Sequence, residues 1–167
     1  MRGLAALSVL VVDDHQQMRK LISSLLRGFG FCVIGEARNS EAAWERLQAE
    51  DFDIVLLDTG TRSRGATDLV KQIRRDPKSR RRDVAIIWMS AFTDRRRVLD
   101  ARDAGISEAL VKPLTARALL DRIFAVIDRP RPFVRALCYA GPDRRRIAKP
   151  LPQNRCRRQG GARMRAG

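Results

Sequence analysis

Two adjacent acids, Asp13 and Asp14, follow directly on the apolar run Val9-Leu10-Val11-Val12. A third acid, Asp58, closes Ile54-Val55-Leu56-Leu57. Ser90 closes Ile86-Ile87-Trp88-Met89, and Lys112-Pro113 follow Ala109-Leu110-Val111. A carboxylate is a competent nucleophile for covalent group transfer, including aspartyl phosphate formation. An incoming phosphoryl group is itself an anion, so that chemistry needs positive charge nearby. Asp13, Asp14 and Asp58 offer the sparse oxygen set that suits Mg2+, which keeps several waters and takes few carboxylates plus substrate oxygens. Lys112 adds a second positive charge, and Ser90 a hydroxyl for a phosphoryl oxygen. Each residue alone is weak evidence. An acid pair after a strand is often only a solvated turn, and Lys-Pro is common. Their order at the ends of four successive apolar runs carries the argument.

Continuous apolar runs suit strands of a parallel sheet buried on both faces. In such sheets ligands bind beyond the carboxyl ends of the strands, so all these residues converge on one crevice. Between the strands the sequence predicts helices. One covers about 16–28, with Met18, Leu21, Ile22, Leu25 and Leu26 on its apolar face and Gly28 and Gly30 ending it. A second opens at Ser40-Glu41 and turns Ala43, Trp44 and Leu47 inward. A third spans about 66–75 and stops at Asp76-Pro77. A fourth is capped by Thr93 or Asp94 and ends at Gly105. A fifth opens at Thr115 and runs to about Asp128, with Leu119, Leu120, Ile123, Phe124 and Ile127 inward. Strands are expected near 8–12, 31–35, 53–57, 84–89 and 108–111. This alternation predicts a doubly wound α/β sheet with right-handed crossovers.

The formal charge of +15 is unevenly spread. Residues 129–167 hold twelve Lys or Arg and a single acid, Asp143, so most of the excess lies there. Pro130 and Pro132 mark the end of the domain, assigned to residues 1–128. The segment 129–167 is rich in Arg, Pro and Gly and is expected to be irregular or disordered, with Phe133, Val134 and Tyr139 as possible anchors. A basic arm of this kind suits polyanions or acidic proteins. Cys32, Cys138 and Cys156 show no metal or redox spacing and are expected to be reduced thiols of a cytoplasmic protein. No apolar stretch reaches the ~18–20 residues of a membrane span.

The segments VLVVDD at 9–14, IVLLD at 54–58, IIWMSA at 86–91 and AGISEALVKPL at 104–114 resemble the receiver domain of two-component response regulators. The resemblance covers residues 7–128. It implies a flavodoxin-like fold, a five-stranded parallel sheet in the order 2-1-3-4-5 with five helices. It implies a phosphoprotein of a phosphorelay, not an enzyme beyond its own phosphorylation and dephosphorylation. Asp58 is then the phosphoacceptor, Ser90 the switch hydroxyl and Lys112 the phosphate-contacting lysine. Mg2+ is implied as cofactor, held by Asp13, Asp14 and Asp58 together with the backbone carbonyl of Gly60. The partners implied are a histidine kinase or phosphotransfer protein, which supplies the donor histidine, and a target on the face made by helix four, strand five and helix five.

The sequence departs from the family pattern in three places. The loop after Asp58 reads Thr61-Arg62 where Met-Pro is usual. Ala109 stands where an aromatic residue usually precedes the lysine by three positions. No output domain is recognisable, so the expected type is a single-domain receiver with a basic C-terminal tail. The alternative is a regulator that binds nucleic acid or another polyanion through that tail, which predicts binding that falls steeply with salt. His15 is read as a partly exposed residue at the start of the first helix.

Overall fold

The computed structural model describes residues 3–58, 64–91, 95–136 and 138–144. After a 3-10 turn at Leu4–Ala6 the chain alternates strand and helix: β1 (Ser8–Val12), α1 (Gln16–Gly28), β2 (Val33–Ala37), α2 (Ser40–Ala49), β3 (Ile54–Asp58), α3 (Arg64–Arg75), β4 (Ala85–Ser90), α4 (Arg95–Ala104), β5 (Glu108–Val111) and α5 (Ala116–Asp128). The five strands form one parallel sheet in the order β2-β1-β3-β4-β5. This is the flavodoxin-like order expected from the sequence.

Both faces of the three central strands are buried because each of these strands alternates between two cores. Leu10, Val12, Val55, Leu57, Ile86 and Trp88 pack with Ala43 and Leu47 of α2, Leu69, Val70 and Ile73 of α3, and Ala101 of α4. Val9, Val11, Ile54, Leu56, Ile87 and Met89 pack with Ile22 and Leu26 of α1 and Leu119 and Ile123 of α5. The apolar stripes of α1 and α5 are wider than their contact with the sheet. Leu21 and Phe124, both expected inward, are 54% and 37% exposed.

Helix ends explain where the sequence reading missed. Gly30 has a φ of 96°, its N–H donates to Arg27 O, and the Phe31 N–H reaches back to Leu26 O. That is a glycine-terminated helix end in which the following apolar residue folds back on the helix. Phe31 is therefore part of the α1 cap, and β2 starts at Val33 instead of Phe31. The α2 cap is Asn39, whose side chain accepts from the Ala42 N–H at 2.9 Å. Thr115 caps α5 in the same way, at 3.1 Å from the Ala118 N–H. Thr93 and Asp94, expected to cap α4, lie outside the described residues.

The segment after α5 is the main departure from expectation. Two stretches of it are regular: β6 (Phe133–Ala136) and β7 (Tyr139–Pro142) pair antiparallel. Tyr139, Gly141 and Pro142 are buried. Gly105 ends α4 with a φ of 114°, and a side chain there would meet Ala140 O at 2.9 Å. A side chain at Gly141 would come within 2.9 Å of Gly105 Cα. Two glycines therefore let β7 lie against the end of α4. Arg144 stacks on the Tyr139 ring at 4.2 Å and pairs with Asp103 of α4. Beneath the hairpin, Arg74 of α3 is 1% exposed. It donates to the carbonyls of Gly105, Arg82 and Val84 at 2.9, 2.6 and 2.8 Å, and the Phe133 ring lies 5.8 Å from its guanidinium. Burial pushes Arg74 down to about 10, which leaves it cationic at neutral pH. Cys32 is a free, exposed thiol. Cys138 is disulfide-bonded, which corrects the expectation of reduced thiols at that position.

Candidate functional site

Strand register brings the reactive residues to one end of the sheet. Val12 pairs with Leu57, Leu57 with Trp88, and Trp88 with Ala109. One step further along lie Asp13, Asp58, Met89 and Leu110, and beyond those Asp14, Ser90 and Val111. Lys112 follows Val111, and its N–H donates to Ser90 O at 2.8 Å. The Lys112–Pro113 peptide is cis.

Lys112 Nζ lies 2.9 Å from Asp58 Oδ1 and 3.8 Å from Asp13 Oδ2. The side chains of Asp58 and Asp13 are 5% and 0% exposed, whereas that of Asp14 is 54% exposed. Ser90 is buried, at 5%. Asp13 Oδ1 accepts the His15 N–H at 2.8 Å, while Asp13 Oδ2 has no hydrogen-bond partner. Burial pushes the Asp13 carboxyl above its ordinary value. Asp58 and Asp14 add to that, and the His15 N–H and Lys112 oppose it. An orphaned carboxylate oxygen, a disfavoured charge and two further acids make a donor set that fits a hard divalent cation.

Two further residues support the turn. Arg19 Nη1 donates to Asp13 O at 2.7 Å, and Arg19 Nε lies 3.7 Å from Glu36 Oε2. Glu36 in turn accepts from the buried Ser23 hydroxyl at 2.7 Å. Sequence reasoning missed both because their partners come from different elements. The spacing of Arg19, four residues after His15 on α1, was the one available signal. Gly60, expected to lend its carbonyl to a metal, lies outside the described residues, as do Thr61 and Arg62. Ala109 is partly buried and packs on the core that α2, α3 and α4 cover.

A raised carboxyl in the fold costs stability wherever it is ionised. In metal-free protein Asp13→Asn is therefore expected to raise the thermal midpoint at pH 7. The gain should shrink as pH falls through the raised folded value and vanish below the ordinary carboxylate range, where wild-type Asp13 is protonated in both states. Midpoints measured from pH 3 to 8 in EDTA check this. A gain that grows with acidification contradicts it.

A family model for the response regulator receiver domain matches residues 9–124. The chain belongs to this family. The receiver is 32% identical to the chemotaxis protein CheY-3 of Vibrio cholerae over 123 residues, which are 74% of this chain and 93% of that protein. It is 30% identical to the chemotaxis protein CheY of Pseudomonas aeruginosa, with 74% and 98% covered. Among solved structures, a response regulator receiver from Bermanella marisrubri superposes with a TM-score of 0.64 at 27% identity, covering 72% of this chain and 97% of that one. The CheX-CheY-BeF3-Mg complex from Borrelia burgdorferi gives 0.65 at 26% identity, covering 72% and 89%. The receiver is thus related to phosphoacceptor response regulators of two-component signalling. Among the described residues no helix is long and apolar enough to cross a membrane.

Proposed function

We propose that the receiver takes a phosphoryl group on Asp58 from a phosphohistidine of a histidine kinase or phosphotransfer protein. The observation that carries this reading is the Lys112 ammonium 2.9 Å from a nearly buried Asp58 carboxylate at the carboxyl end of the central strand. A carboxylate oxygen of Asp58 forms the new P–O bond while the donor P–N bond breaks, and the leaving imidazole is protonated. Lys112 holds the acceptor in place and then faces a phosphoryl oxygen. Ser90, on the neighbouring strand, is the hydroxyl that a bound phosphoryl group would draw in. Asp13, Asp14 and Asp58 would hold Mg2+, which when bound offsets the charge of the acids and the phosphoryl oxygens. The Gly60 carbonyl belongs to the same proposal.

The test is incubation of the full chain with Mg2+ and acetyl phosphate, then intact mass and peptide mapping. One phosphoryl mass on the peptide holding Asp58, lost in EDTA, is the expected result. Incorporation unaffected by EDTA, or mapped to another residue, overturns the reading.

Output is proposed to go through protein contacts on α4, β5 and α5. Leu99, Val111 and Phe124, one from each element, are among the exposed large apolar residues, and Arg96 and Arg97 are exposed beside them on α4. Ala109 has no ring to swing, so the signal must travel through the chain after β4 and α4 itself. Nucleic-acid binding through the tail has no support here, and residues 145–167 lie outside those described. Localisation in the cytoplasm is part of the proposal, as is self-catalysed dephosphorylation.

Arg19 is expected to matter for the same site. It anchors the backbone of Asp13 from below, and outer contacts of this kind cost metal affinity when lost. Arg19→Ala should weaken Mg2+ binding by roughly tenfold. Calorimetric titration with Mg2+ checks it, and an unchanged affinity excludes the role.

A further inference from the structure

The turn between β1 and α1 presents three groups able to hold a divalent cation, and one of them is not a carboxylate. Donor atoms of Asp13, Asp14 and His15 all lie within 4.8 Å of one another. His15 Nδ1 is 2.7 Å from Asp14 Oδ1 and 3.6 Å from Asp13 Oδ1. Adjacent ligands at ~2.1 Å from an octahedral metal stand roughly 3 Å apart, so these are separations that one ion can bridge. Asp13 Oδ2, on a wholly buried side chain, accepts no hydrogen bond and has only the Lys112 ammonium 3.8 Å away, which leaves its coordination capacity unused.

The imidazole Nδ1 shares a hydrogen bond with Asp14 Oδ1, so its contact stays within this turn. His15 occupies the N-cap position of α1, yet its side chain makes no capping hydrogen bond. Its backbone N–H is tied to Asp13 Oδ1 instead, which fixes the residue beside the acids. The side chain is 72% exposed, so an ion reaches it without disturbing the core. Imidazole nitrogen suits borderline transition ions, whereas Mg2+ prefers oxygen donors and retained water.

We infer that His15 is a nitrogen ligand of the acid pocket, and that it biases this pocket toward divalent transition ions such as Mn2+ and Co2+ over Mg2+. Carboxylates alone already favour these ions somewhat. The inference concerns the added discrimination that comes from the ring. It rests on the reading of Asp13 and Asp14 as metal ligands, but not on phosphoryl transfer, because the metals are titrated without a phosphodonor.

His15 is the single histidine of the chain, so an untagged protein gives an unambiguous assignment. Calorimetric titrations with Mg2+, Mn2+ and Co2+ compare wild type, His15→Ala and His15→Gln. Both variants should bind Mn2+ and Co2+ at least tenfold more weakly, and Mg2+ less than threefold more weakly. Electron spin-echo spectra of the Mn2+-loaded wild type should show nitrogen coupling that changes with 15N-histidine labelling and is lost in the variants. Equal weakening for all three ions would mean that the ring only orients Asp14, and it overturns the inference. Unchanged affinities or absent nitrogen coupling also overturn it. Wild type that binds none of the three ions saturably overturns the underlying metal-site reading as well, which separates the two failures.

Discussion

Asp58→Asn is expected to gain no phosphoryl mass under conditions where wild type reaches one phosphoryl group per chain. The substitution keeps the shape of the side chain and its place at the end of β3, with Lys112 opposite. What it removes is the nucleophilic oxygen. An amide oxygen has neither the charge nor the basicity to form a stable acyl phosphate, so the rate should fall by at least ~10³-fold, the scale on which removal of a catalytic nucleophile acts. The two other acids test the specificity of the loss. Asp14 is exposed and closer to solvent, and Asp13 is buried beside the same lysine. If proximity to Lys112 were enough, Asp13 would take over in the variant. It should not, because its side chain is wholly buried, its Oδ1 accepts the His15 N–H, and its Oδ2 stands 3.8 Å from Lys112 Nζ against 2.9 Å for Asp58. Intact mass after incubation with acetyl phosphate and Mg2+ decides the matter, with an unchanged thermal unfolding profile as the check on folding. A phosphoryl adduct on the variant at a rate near wild type would mean that the acceptor is another residue.

The largest expected effect on stability lies far from this crevice, at Arg74. Its guanidinium is nearly fully buried and satisfies carbonyls from three places: Gly105 at the end of α4, and Arg82 and Val84 just before β4. One nitrogen, Nη2, has no partner. The hairpin closes the site, with Phe133 over the guanidinium. A buried charge earns little over a well-packed apolar residue, but deleting it leaves its acceptors stranded. Arg74→Ala should therefore cost about 3–5 kcal/mol, from lost charge-assisted hydrogen bonds, unpaired carbonyls and a cavity. Arg74→Met fills the space without serving the carbonyls and should cost about half as much. Urea unfolding of both variants separates packing from hydrogen bonding. Equal stability of Arg74→Ala and wild type would show that the junction is not a structural pin.

The same junction shows why β6 and β7 were not legible in the sequence. A two-stranded hairpin has no helical stripe and little alternation, and its burial comes from elsewhere. Tyr139 and Gly141 are covered by α3 and α4, some thirty to seventy residues earlier, and the fit depends on a glycine on each side. Phe133 and Tyr139 were visible as possible anchors. Nothing local said that they would anchor a hairpin.

The gathering of the strand-end residues was legible for the opposite reason. Strand-end residues are placed by the apolar run that precedes them, so Asp13, Asp14, Asp58, Ser90 and Lys112 come together once the runs are recognised as parallel strands. The alternation of those runs with 3.6-period stripes also determines the sheet and its helices, because both signals are local. Tertiary structure alone decided which parts of the stripes are used: Leu21 and Phe124 stay at the surface although both lie on the apolar stripes of α1 and α5. It also decided that Arg19 and Glu36 brace the first turn, that Arg74 is interior, and that the His15 ring stands beside the acids. In each case the partner lies on another element or the side chain has a choice of direction, and only packing in three dimensions makes that choice.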